Sequence, residues 1–175
     1  MPDGGIILYA TLRVPVMTQS HPLLSLSFEE LVARPILDLA ASFWEPARYE
    51  AFRYCYRSMR RLDDLVDHRK EQPELIGENE QRVLSAMLSD WLLAMQRQDP
   101  ETEIARLNAI RATHHLPLWP WEKLVTAMEY DLSHRSFPSW LIFRRYTEGA
   151  AIAPAAIFIY LATADPARLS PAQAR

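Results

Sequence analysis

Residues 46–69, PARYEAFRYCYRSMRRLDDLVDHR, constrain this chain more than any other stretch. After Pro46 they contain neither glycine nor proline, and apolar side chains recur at Phe52, Cys55, Tyr56, Met59, Leu62 and Val66. Steps of three and four are the signature of an amphipathic helix. Three carboxylates, Asp63, Asp64 and Asp67, are crowded onto the same stretch. On a wheel of about 100° per residue with Phe52 at zero, Met59, Val66, Tyr56 and Cys55 fall within about 60° of it. Asp63 falls at about +20°, inside that apolar arc, and Asp67 and Arg60 lie at its edge, near +60° and +80°. Asp64 lies further out, while Arg53, Arg57 and Arg61 occupy the polar side. A carboxylate among apolar side chains needs a partner. That partner is either a neighbouring arginine or a hard cation. Mg²⁺ suits such a place, because it takes one or two carboxylates, keeps several waters and completes its shell with phosphate oxygens.

The remaining chain reads as helices throughout. The capping box Ser27-Phe28-Glu29-Glu30 opens a helix, and Pro35 and Pro46 then punctuate the chain. Residues 71–80 form a polar linker ahead of a second amphipathic helix from Glu78 to about Gln98, apolar at Val83, Met87, Leu88, Trp91, Leu92 and Met95. DPETE starts a shorter helix toward His114, and Pro120 sits in the first turn of another that runs to about Arg135. There Leu124, Val125, Met128 and Leu132 form the apolar face, with Asp131 bordering it beside Leu124 and Glu129 on the other edge. Residues after Pro138 become apolar all round beyond Gly149, the pattern of a central buried helix, with Pro154 set to kink it. Strand alternation persists nowhere, so the expected fold class is all-α.

Composition narrows the function classes. A net charge of −3 and a pI near 6.0 leave no basic excess for nucleic acid. A lone cysteine, Cys55, admits no internal disulfide and reads as a core residue of a protein from a reducing compartment, here the cytoplasm. No run reaches the roughly 18 apolar residues that span a bilayer. Residues 1–16, ahead of Met17, read as an upstream extension, so residues 1–20 are set apart and 21–175 are read as part of one domain. His114-His115 is no metal pair, since adjacent helical residues point about 100° apart. His68 and His134 read as surface or capping groups.

Two segments resemble the squalene and phytoene synthases. SFWEPARYEAFRYCYRSMRRLDDLVDHR is similar to that family's first aspartate-rich segment: a Ser-Phe pair, then a helix with tyrosine, arginine and D-D-x-x-D. MEYDLSHRSFPSWLIFRRYTEGAAIAPAAIFIYL is similar to its middle segment, in which an acid precedes S/T-W and Y-x-x-x-A before a kinked apolar helix. Together they cover about residues 36–162. The resemblance implies an isoprenoid synthase (terpene synthase-like) helical bundle that joins two farnesyl or geranylgeranyl diphosphates head-to-head through a cyclopropyl intermediate. It implies Mg²⁺, or Mn²⁺ in its place, held by Asp63 and Asp67, with Arg60 on the diphosphate and Asp131 as an acid near the second substrate. Ser42, Phe43 and Tyr56 would line the site, and Tyr146, Ala150 and Ala153 would form a wall of the prenyl tunnel. The family's second aspartate-rich helix has no counterpart here, Asp165 being the only aspartate after Asp131, so the chain reads as the N-terminal portion of such a domain. The alternative is a non-catalytic relative that acts as a binding or assembly factor. Lipid products would place the enzyme peripherally at a membrane's inner face.

Overall fold

A computed structural model describes residues 34–70, 76–98 and 102–163. The chain divides into Met1–Pro35 and Ile36–Arg175, and all the described helices belong to the second unit. Among the described residues all regular structure is helical. The helices are α1 (Ile36–Ala41), α2 (Pro46–Lys70), α3 (Glu78–Arg97), α4 (Thr102–Thr113), α5 (Trp119–Ser133), α6 (Trp140–Thr147) and α7 (Ala153–Thr163), with a π turn, Glu148–Ile152, joining the last two. The capping box at Ser27 and the residues around Asp165 lie outside the described residues.

Prolines set several boundaries, as expected. Pro46 opens α2, where its missing N–H costs nothing. Pro120 lies in the first turn of α5. Ser139 caps α6, its hydroxyl accepting from the Ile142 N–H at 3.3 Å. α3 ends at Gln98, whose left-handed φ of 54° lets its N–H close the last turn.

The hub is α5, not the C-terminal helix that the apolar composition favours. α5 packs against α2, α3, α6, the π turn and α7. Trp121, Leu124, Val125, Ala127, Met128 and Leu132 are all buried along it. Trp121 is fully enclosed and donates its indole N–H to Ser58 Oγ at 2.9 Å, while Ser58 donates to the Cys55 carbonyl at 2.7 Å. The indole and the hydroxyl at this α2–α5 crossing are thereby satisfied, as a dry interior requires. Burial pushes the Cys55 thiol up to about 12, so it stays protonated and serves as a small core residue.

α7 is buried along one stripe only. Ala153, Ile157 and Leu161 recur at i, i+4, i+8 and face the core, whereas Ile159 (59% exposed) and Tyr160 face outward. Phe158 joins Trp44, Phe52 and Tyr56 in an aromatic cluster that ties α7 and the α1–α2 loop to α2, with centroids 4.6–5.9 Å apart. On α3 the core face is Leu88 and Met95 with the half-buried Leu84, Trp91 and Leu92. Val83 and Met87, expected on that face, point outward.

Pro154 acts differently from a plain kink. It cannot donate to the Ala150 carbonyl, and its ring would press on it. The helix widens instead: the Ala153 N–H reaches back five residues to the Glu148 carbonyl. Such π turns favour functional sites.

Candidate functional site

A cavity of about 210 Å³ opens where α1, α2, α5 and the π turn meet. One edge is charged, with Asp63 and Arg60 from α2. The rest is apolar: Tyr56 and Met59 from α2, Leu37 from α1, Leu124 from α5, and Ala150, Ala151 and Pro154 at the widened turn. Long-range packing thus gathers four residues singled out in the sequence, Tyr56, Arg60, Asp63 and Ala150, around one cavity. Helical phase accounts for the three on α2, since 56, 60 and 63 follow steps of four and three.

Asp63 is half-buried, its side chain 24% exposed. Burial raises its pKa; Arg60 opposes the rise, and the charges of Asp67, Asp64 and Asp131 add to it. Arg60 forks between Asp63 and Asp64, its second nitrogen 2.8 Å from Asp64 Oδ1. Asp67, one turn on from Asp63, is exposed and has no ion-pair partner among the described residues. Arg60 is thus shared by two carboxylates and Asp67 is left without a pair, so these four side chains carry a negative excess, Arg61 being paired with Glu103. That is a field that draws a cation.

Asp131 sits beside the cavity in a different setting. It is 9% exposed and its carboxylate is engaged on both oxygens. Lys70 donates to Oδ1 at 3.0 Å and the Tyr146 hydroxyl donates to Oδ2 at 2.8 Å. These two bonds tie α2, α5 and α6 together. Asp131 and Lys70 also border a second cavity of about 300 Å³ with Ser133 and His134. Burial and the Asp131 carboxylate both raise the Tyr146 pKa, so the phenol stays protonated as a donor. Tyr146→Phe removes one of two donors from a nearly enclosed carboxylate. Because Lys70 remains, the expected loss is about 1–2 kcal/mol, read by urea unfolding; an unchanged midpoint would mean that the phenol does not hold Asp131.

The other sequence candidates lie elsewhere. Ser42 is buried, but its hydroxyl donates to the Leu39 carbonyl at 2.6 Å and closes α1. Phe43 is 63% exposed in the turn beyond it. Ala153 is fully enclosed in the core beneath the cavity-lining π turn. Uninterrupted α-geometry would keep Ala150 and Ala153 on one face; the extra residue of the wide turn carries Ala153, together with Ile157 and Leu161, away from that face. Glu129 accepts from Ser89 at 3.1 Å and joins α5 to α3, and His134 ends α5, stacked on Tyr130 at 4.1 Å. Lys70 was missed by sequence reasoning, although a signal existed: 63, 67 and 70 follow one helical stripe. Met59, Leu124 and Pro154 were read only as core or kink, and nothing local distinguishes a cavity wall from a core face.

Asp63 at the cavity and the unpaired Asp67 one turn on from it fit a divalent cation that takes its other ligands from water and phosphate. No set of three or more potential protein ligands gathers among the described residues. Asp131 is not available as a third, since Lys70 and Tyr146 hold it. No protein-family model, curated protein or solved structure matches the chain.

Proposed function

We propose that this chain supplies the aspartate-bearing wall of a prenyltransferase site that joins two prenyl diphosphates, farnesyl or geranylgeranyl, head-to-head into a squalene- or phytoene-type product. The observation that carries the reading is the cavity itself: a carboxylate and a guanidinium at its edge, and Tyr56, Met59, Leu124, Ala150 and Pro154 behind them. A substrate with a charged head and a hydrocarbon tail needs that polarity in that order.

Asp63 and Asp67 would hold Mg²⁺, or Mn²⁺ in its place. The ion, when bound, offsets the charge that grows on the diphosphate as it departs. Arg60, shared between two aspartates, would offer one arm of its fork to a phosphate oxygen. Tyr56, stacked on Phe52 at 5.4 Å, offers an aromatic wall to the allylic carbons. Lys70 and Tyr146 hold Asp131 in place beside them.

The test is a melt of the chain with a non-hydrolysable prenyl thiodiphosphate, with and without Mg²⁺. Ligand at about 100 times its Kd adds roughly 2.7 kcal/mol, and the gain should require the metal. No shift under either condition, or the same shift with a chelator present, would sink the reading.

One observation favours a second reading, a non-catalytic relative that binds or helps assemble a partner. Arg60 is already held by Asp63 and Asp64, and Asp131 by Lys70 and Tyr146, so both groups are engaged without ligand. That reading expects ligand binding without product, and head-to-head product in an activity assay would exclude it.

A further inference from the structure

Toward the N-terminal end of α2 lies a larger and chemically opposite feature. A groove of about 480 Å³ runs between α2 and α4, lined by Tyr49, Glu50, Arg53, Tyr54, Arg57 and Arg106. Arg106 pairs with Glu50, the one acid of the groove, and lies over the Tyr54 ring at 4.6 Å. Arg53 lies over the Tyr49 ring at 5.5 Å. The next cation along the stripe, Arg61, pairs with Glu103. Arg53 and Arg57 remain, one turn apart, and neither has a carboxylate partner among the described residues.

This arrangement opposes the stability of the helix. Like charges at i, i+4 repel, and here the repulsion is left standing beside two tyrosines that hold the neighbouring guanidinium planes in place. Planar guanidinium forks match phosphate oxygens two at a time, and a pre-set fork loses less freedom on binding than a lysine would. The groove is too roomy for a bare phosphate and leaves space for an organic body.

We propose that Arg53, Arg57 and Arg106 form a binding site for a phosphate-bearing anion, separate from the aspartate site and independent of divalent metal. The phosphate is that of a monoester or diphosphate, carried by a soluble molecule or by a lipid headgroup. The site does not depend on the prenyltransferase reading, because none of its residues lines the aspartate cavity.

The experiment is calorimetric titration of inorganic diphosphate into the full chain with a chelator present. A parallel arm uses co-sedimentation with phosphatidylcholine vesicles, with and without phosphatidylglycerol. Arg53→Gln/Arg57→Gln should fold normally, since both side chains are exposed, and should weaken binding about tenfold or more. Asp63→Asn should leave it unchanged. Arg82→Gln/Arg97→Gln makes the same change in net charge on α3 and should also leave it unchanged. Retention on the anionic vesicles that the first double variant abolishes assigns the phosphate to a headgroup; diphosphate binding without retention assigns it to a soluble ligand. The proposal is overturned if neither probe binds, if binding survives Arg53→Gln/Arg57→Gln, if the α3 control loses as much, or if binding needs Asp63.

Discussion

Gly149→Ala is expected to cost about 3 kcal/mol, at the upper end of the usual range for overpacking. A Cβ at this position would lie 2.1 Å from the Lys123 carbonyl oxygen and 2.7 Å from both the Lys123 carbonyl carbon and the Ala127 Cβ. The first two are backbone atoms in the middle of α5, so no side-chain rotation relieves the clash. The π turn and the hub helix must part. At about 2–4 °C per kcal/mol for a chain of this size, the melting temperature should fall by about 6–12 °C. Ala150 and Ala151, which line the cavity next to Gly149, would move with it, so ligand binding should weaken in the same variant. Gly77→Ala is the natural control. Nothing lies within 4 Å of a Cβ there, and only a cap-sized loss of about 1 kcal/mol is expected. Equal melting temperatures for Gly149→Ala and the parent would mean that the turn does not sit on α5 as described.

Asp63→Asn is expected to abolish Mg²⁺-dependent binding of a prenyl thiodiphosphate while leaving the fold intact and slightly more stable near neutral pH. The sign comes from linkage. Burial, first, and then the Asp67, Asp64 and Asp131 charges raise the Asp63 pKa against the pull of Arg60. A carboxylate with a raised folded value contributes stability that is fully present below its ordinary range and is lost as the pH rises through the raised value. At neutral pH the ionised group is a net cost, which asparagine removes. The advantage of the variant over the parent should therefore shrink as the pH falls into the carboxylate range. Unfolding of the variant would identify Asp63 as half of a structural ion pair with Arg60. Retained Mg²⁺-dependent binding would remove Asp63 from the metal site.

Local chemistry made much of the helical framework legible. Apolar steps of three and four marked α2, and prolines at 46 and 120 marked helix starts, because the missing proline N–H acts within one turn. The wheel placed Asp63 inward and Asp67 at the margin for the same reason. Partner choice was harder to read. Val83 and Met87 look no different in sequence from Leu88, yet they face outward, since which part of an apolar arc is covered depends on where α5 crosses. α7 looked central because nearly all its residues are apolar, but only one stripe of it meets the core. At the site, Tyr56, Arg60, Asp63 and Ala150 converge, while Ser42, Phe43 and Ala153 do not. Asp131 was legible as a border acid; its two donors were not, because Lys70 and Tyr146 reach it from two other helices. A motif reports spacing along the chain, whereas a cavity depends on contacts made across it.

The wide turn at Glu148–Ile152 also has a consequence for how this segment tolerates change in length. It inserts one residue into an otherwise α-helical run, and one residue is worth about 100° of rotation. It therefore works as a phase shifter: an unbroken α-helix would set Tyr146 and Ala153, seven residues apart, on one face, and the inserted residue turns the Ala153, Ile157 and Leu161 stripe about 100° away from it. Deleting one residue between 148 and 152 would close the turn to ordinary α-geometry and leave Tyr146 and the Ala153 stripe on the faces they already occupy, whereas adding a residue to the helix there would swing the stripe by about 100° toward solvent. A point substitution on the exposed side of the turn, at Ile152, leaves the phase untouched. This segment thus tolerates the loss of one residue here better than the gain of one.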